Sequence, residues 1–105
     1  MLMRLMALKC KISRGGFSDE RVFRLVGAEG YEGISSRRHL WSEDGLAIEE
    51  GEPPIGQELE GLVATRVLGI SGDAVSVSVP DGEVIVVPVS ALVKRPQGVT
   101  EHVPV

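Results

Sequence analysis

The chain has 105 residues, 43% of them hydrophobic, with 11 Lys+Arg against 15 Asp+Glu for a net charge of −4. That size suits one domain with a single core, residues 1–105, and excludes two independently folding units. The longest uncharged run, Val84 to Val93, holds 10 residues, half of what a membrane-spanning helix needs.

The N-terminus is apolar, but Arg4 interrupts it and lysines flank Cys10. This departs from a secretory signal, and a lone Cys cannot form an internal disulfide, so the expectation is a cytoplasmic protein with no membrane association. From Met6 the pattern alternates, with Met6, Leu8, Cys10 and Ile12 on one side and Ala7, Lys9, Lys11 and Ser13 on the other, as in a half-buried strand. Arg14 to Asp19 is loop-like. Arg21 to Val26 reads either as a strand or as a short helix capped by Ser18 and ended by Gly27. Strand is favoured, because Gly27 to Gly30 forms a turn from which Tyr31 to Ser35 can pair back.

Residues Trp41 to Gln57 carry Pro53-Pro54, three glycines and five acids, and read as an acidic surface loop. Beyond it, Leu59 to Ile70, Asp73 to Val79 and Glu83 to Val89 are Val-rich runs parted by turn residues. Fifteen valines and six isoleucines favour strands, where branched side chains fit the pleat. Pro80-Asp81-Gly82 supplies a turn with preset φ, a side-chain acceptor and a residue free to take positive φ. Val75, Val77 and Val79 then share an apolar face, opposite Ala74, Ser76 and Ser78. Each half ends in a Ser-to-Leu echo, Ser35 to Leu40 and Ser90 to Leu92. The unequal spacing identifies no repeat, only a short helical or 3₁₀ turn after each meander. The last residues, 96–105, read as a loose tail.

Short strands in two three-strand meanders bury their apolar faces best by curling around one core. The expected fold is therefore all-β, a single small barrel of about six antiparallel strands. Gly61-Leu62-Val63-Ala64, the Gly72-Asp73 turn, the hairpin Val75 to Gly82 and Val87-Pro88-Val89-Ser90-Ala91-Leu92 resemble the SH3-like small β-barrels. Ile55 to Gly61 resembles the opening strand of an S1-type OB-fold, but the later strands lack the aromatics such folds use to stack bases. These resemblances imply a fold and no activity.

Charge is uneven. Residues 1–40 carry +4, residues 41–65 carry −7 with no base, and the rest −1. All four aromatics lie in the first 41 residues, so Arg37, Arg38, His39 and Trp41 form the one stretch with cations and an aromatic together, the candidate binding residues. Arg14, Arg21 and Arg24 are further candidate phosphate contacts. The competing reading makes Trp41 a plug for one end of the barrel.

Catalytic groups are sparse. Cys10 falls on an apolar face, His39 and His102 are the only imidazoles, and no metal-ligand spacing, calcium-loop glutamate, P-loop or dinucleotide fingerprint is present. No cofactor is implied. The expectation is a non-catalytic domain that binds an unidentified protein partner or assembles, with Val-rich strand edges suited to a homodimer. A nucleic-acid-binding barrel using the basic and aromatic residues is the alternative.

Overall fold

The structure, a computed structural model, describes residues 5–28, 30–49 and 54–96. The chain folds into one antiparallel sheet of eight strands that curls into a half-barrel. In order these are β1 (Leu5–Arg14), β2 (Glu20–Leu25), β3 (Glu32–Ser36), a 3₁₀ turn Arg37–His39, β4 (Leu40–Ser42), β5 (Leu59–Ser71), β6 (Ala74–Ser78), β7 (Val84–Pro88), a 3₁₀ turn Val89–Ala91 and β8 (Leu92–Lys94). The ambiguous segment after Ser18 is strand β2, held between β1 and β3 by Ile12 opposite Phe23 and by Phe23 opposite Gly33. Both meanders and both 3₁₀ turns match the sequence pattern.

Two strands go beyond that pattern. After each 3₁₀ turn the chain stays extended for three residues. These short strands, β4 and β8, bring the expected six to eight. Strand β4 runs through Trp41 and Ser42, opposite Leu62 and Gly61, so the acidic loop begins after Ser42 rather than at Trp41. The backbone of Trp41 gains ladder partners and its side chain gains burial, and that outweighs the polar composition of the segment beyond Ser42. Residues 50–53 of this loop and 97–105 of the tail lie outside the described residues.

The strand order β3-β2-β1-β5-β6-β7 joins the two meanders through β1 and β5, with Leu8 opposite Val63. About that pair the halves repeat each other. β8 begins opposite Leu8 with Leu92, and β4 begins opposite Val63 with Leu40. Arg37 N–H donates to the Asp19 carbonyl at 2.9 Å, and Val89 N–H donates to that of Asp73 at 2.8 Å. Leu25 N–H bonds Tyr31 O at 3.1 Å, as Val79 N–H bonds Glu83 O at 3.0 Å. Gly30 and Gly82 occupy the two hairpin turns with φ of 84° and 93°. The sequence shows only a faint echo of this relation because it resides in backbone pairing, which different side chains can satisfy.

The main core gathers Leu8, Cys10 and Ile12 of β1, Phe23 and Leu25 of β2, and Val75, Val77, Val79 and Val87 from the second half. Val75, Val77 and Val79 take the inward face that their alternation predicts. A second, smaller cluster lies on the other face, where Trp41 packs with Ala7 and Ala64, flanked by Leu62 and Val93. The Tyr31 hydroxyl donates to Asp81 Oδ2 at 2.6 Å, tying the two hairpin ends together. Among the described residues no helix is long and apolar enough to cross a membrane.

Candidate functional site

The four residues singled out in the sequence lie on the first 3₁₀ turn and β4, and the fold gives them different tasks. Arg37 pairs through Nε with Asp19 Oδ1 and donates Nη1–H to the Ile48 carbonyl at 3.0 Å. It fastens the acidic loop to the start of β2. Trp41 is only 2% exposed, with the Arg95 guanidinium 6.0 Å from its ring centroid. One face of the indole lies on Ala7 and Ala64 and a cation approaches the ring, so it offers no open face for a base to stack on. The burial agrees with the competing reading, but Trp41 sits in the small cluster on the outer face of the sheet astride β1 and β5, not as a plug at one end of a barrel.

Arg38 is exposed and His39 is half-buried. His39 Nδ1 is fully buried without a hydrogen-bond partner. Burial, then the positive fields of Arg38 and Arg95, pull the imidazole below its usual pKa. A bare Nδ1 lone pair costs less to bury than an unsatisfied N–H, so the neutral ring carries its proton on Nε2. The unfolded chain binds a proton near the ordinary pKa of 6.5 where the folded chain resists it, so His39 lowers stability as pH falls through that range.

Arg95 joins this group from the far end of the described chain. It donates Nε–H to Met6 O at 2.9 Å and Nη2–H to Thr65 O at 3.1 Å, which fixes the guanidinium over Trp41. Arg66, exposed on β5, lies close enough for its field to act on Arg95. Among the described residues, no ion pair neutralises Arg38, Arg66 or Arg95. Sequence reading missed Arg66 and Arg95 because only strand pairing, β4 with β5 and β8 with β1, sets their segments beside the one that holds Trp41.

Two of the other candidate phosphate contacts are committed elsewhere. Arg21 is 3% exposed and bonds the carbonyls of Ser18, Glu20 and Glu49 at 2.8, 2.7 and 3.2 Å. Arg24 pairs with Glu58 at 2.7 Å. Arg14 also has a partner within the fold.

A cleft of about 180 Å³ opens between the end of β2 and the second 3₁₀ turn, lined mainly by apolar groups of Leu25, Gly27, Ala28, Ala91 and Val93, with Lys9 and Ser90 adding polar atoms. Its floor holds no acid, imidazole or thiol. In the other half of the fold the positions equivalent to Ala91 and Val93 are His39 and Trp41, which bring bulk where the cleft has little.

Cys10 is 0% exposed. Burial, with a smaller contribution from Glu60, pushes its thiol up to about 12, so almost no thiolate exists at neutral pH. Iodoacetamide is expected to modify it only at the rate of unfolding, which mass spectrometry across a urea series would track. Because the unfolded thiol ionises near its ordinary 9.0 while the folded one does not, stability is expected to fall as pH rises from about 9 to about 12. A native-state alkylation rate equal to that of a free thiol would contradict both expectations.

No group of three or more His, Cys, Asp or Glu residues suited to a metal occurs among the described residues. Comparison with protein-family models, with curated proteins and with solved structures returned no match.

The remaining surface feature is strand β7. It stands at one edge of the sheet and, among the described residues, pairs with β6 alone. Its residues Val84-Ile85-Val86-Val87-Pro88 carry no charge, and Val84 and Val86 are 56% and 64% exposed. The opposite edge, β3, begins with exposed Glu32.

Proposed function

We propose that this domain is a non-catalytic assembly module that binds a protein partner by strand addition, the partner being a second copy of the chain. The observation that carries the reading is β7, an uncharged edge with two exposed valines. Natural sheets normally blunt such an edge with charge, proline, a bulge or a cover, and β7 has only Pro88, at its C-terminal end. An extended strand laid along β7 would satisfy its outward backbone groups and cover Val84 and Val86. Two antiparallel copies centred on Val86 would set Val84 against Pro88 and Ile85 against Val87 without opposing like charges. The meander, 3₁₀ turn and short closing strand of the second half support reading it as SH3-like, an architecture that leaves strand edges free for partners. The absence of thiolate character at Cys10 supports a role without nucleophilic chemistry there.

Sedimentation over a wide concentration range tests this. The wild type is expected to self-associate, and Val86→Lys, which puts a charge on the edge without touching the core, is expected to weaken association at least tenfold with the melting temperature of the monomer unchanged. A chain that stays monomeric at millimolar concentration, or a dimer indifferent to Val86→Lys, would refute pairing through β7.

A further inference from the structure

We propose that Arg38, His39, Arg66 and Arg95 form a binding site for a phosphate group. This does not rest on strand pairing at β7.

Three arguments carry it. The first is convergence without neutralisation. Arg38 and His39 come from the first 3₁₀ turn, Arg66 from β5 and Arg95 from the segment after β8. Arg95 links them: it bonds the carbonyl of Thr65, the residue before Arg66, and lies over the ring of Trp41, two residues after His39, and among the described residues the charges acting on His39 and Arg95 are those of arginines. No carboxylate appears among them, in a protein whose net charge is −4. Like charges held together raise the energy of the folded state, and a bound anion relieves it.

The second is preorganisation. Arg95 is pinned by the carbonyls of Met6 and Thr65 and lies over the Trp41 ring, so little side-chain freedom remains to be lost on binding. The donor count is the third. Two carbonyls use Nε–H and one Nη2–H of Arg95, leaving its Nη1 hydrogens and the second Nη2 hydrogen. Arg38 and Arg66 are exposed guanidiniums without ion pairs among the described residues. With Nδ1 buried, His39 presents Nε2–H as its outward donor. Three guanidiniums and an imidazole N–H exceed what the two oxygens of a carboxylate absorb, and they suit the three or four oxygens of a phosphate. The phosphate can belong to a small ligand or to the backbone of a nucleic-acid strand.

The test is a pair of titrations on the full chain. His39 is monitored by NMR against pH in inorganic phosphate and in chloride at matched ionic strength, and Trp41 fluorescence is monitored against inorganic phosphate and against a mixed single-stranded oligonucleotide. Phosphate is expected to raise the His39 pKa by about one pH unit, which corresponds to tenfold tighter binding by the imidazolium form. It is also expected to change Trp41 emission saturably. Arg38→Gln combined with Arg66→Gln, two exposed positions outside both cores, is expected to weaken phosphate at least tenfold without lowering the melting temperature. An oligonucleotide that binds a hundredfold or more tighter than phosphate, with steep salt dependence, assigns the phosphate to a nucleic-acid strand. Comparable affinities assign it to a small phosphorylated ligand. The proposal is overturned if the His39 titration is the same in phosphate and chloride, if neither probe gives a saturable change, or if the double variant binds as the wild type does.

Discussion

Replacing Trp41 by alanine is expected to destabilise the domain by about 3–5 kcal/mol, in the range for deleting a large buried aromatic side chain. At this chain length that lowers the melting temperature by roughly 15–25 °C. The indole is 2% exposed, and it fills the outer face between β1 and β5 against Ala7 and Ala64. No neighbouring side chain there is large enough to close the gap: two are alanines, and Leu62 and Val93 are fixed in β5 and β8. Arg95 would also lose the ring beneath it. Urea unfolding monitored by far-UV circular dichroism measures the effect without the tryptophan signal. A loss below about 0.5 kcal/mol, as for ordinary surface substitutions, would mean that Trp41 faces solvent and is available to a ligand.

Gly61→Ala is expected to cost about 2 kcal/mol and Gly61→Val about 3 kcal/mol, within the range of overpacking in a tight core, because the clash is met at the Cβ that both share. Gly61 is the one residue of β5 that faces Cys10 of β1 on one side and Ser42 of β4 on the other. A Cβ there would come within 2.5 Å of the Trp41 carbonyl oxygen and would strike the Ile12 side chain. Ile12 can turn aside, but the Trp41 carbonyl is backbone held in the β4–β5 ladder. The same strand supplies the control: a Cβ on Gly69 meets nothing within 4 Å, so Gly69→Ala is expected to stay within about 0.5 kcal/mol of the wild type. Equal losses at the two positions would show that β propensity, rather than close approach at Gly61, governs the strand.

The second meander is legible in the sequence because its signals are local. Alternation places Val75, Val77 and Val79 on one face, and Pro80-Asp81-Gly82 stands between two runs of valine. Strands β4 and β8 are not legible. Three residues are too few for a period, and both exist because β5 and β1 lie alongside to receive them, a fact of tertiary pairing. The candidate site divides in the same way. Arg37, Arg38, His39 and Trp41 are adjacent in sequence, so their grouping is visible, but their roles are decided by distant residues. Asp19 and Ile48 engage Arg37, and Ala7, Ala64 and Arg95 enclose Trp41. Arg66 and Arg95 carry no sequence signal, since a single arginine within a strand, or just past one, marks nothing until another strand is set beside it.

The reciprocal pairing of β1 with β5 bears on how quickly the protein reaches this state. The hairpins β2–β3 and β6–β7 close short turns, whereas Leu5 meets Arg66 and Met6 meets Lys94 across most of the chain. Ordering the chain between such distant partners must precede the burial that rewards it, which places the domain among slow, high-contact-order folders with relaxation times of roughly milliseconds to seconds. Each meander borrows its neighbouring strand from the other, so a chain emerging from the ribosome cannot finish the first half before the second is made. Until Val93 and Lys94 have been synthesised, the N-terminal part of β1 lacks β8, and its apolar residues stay open to other chains.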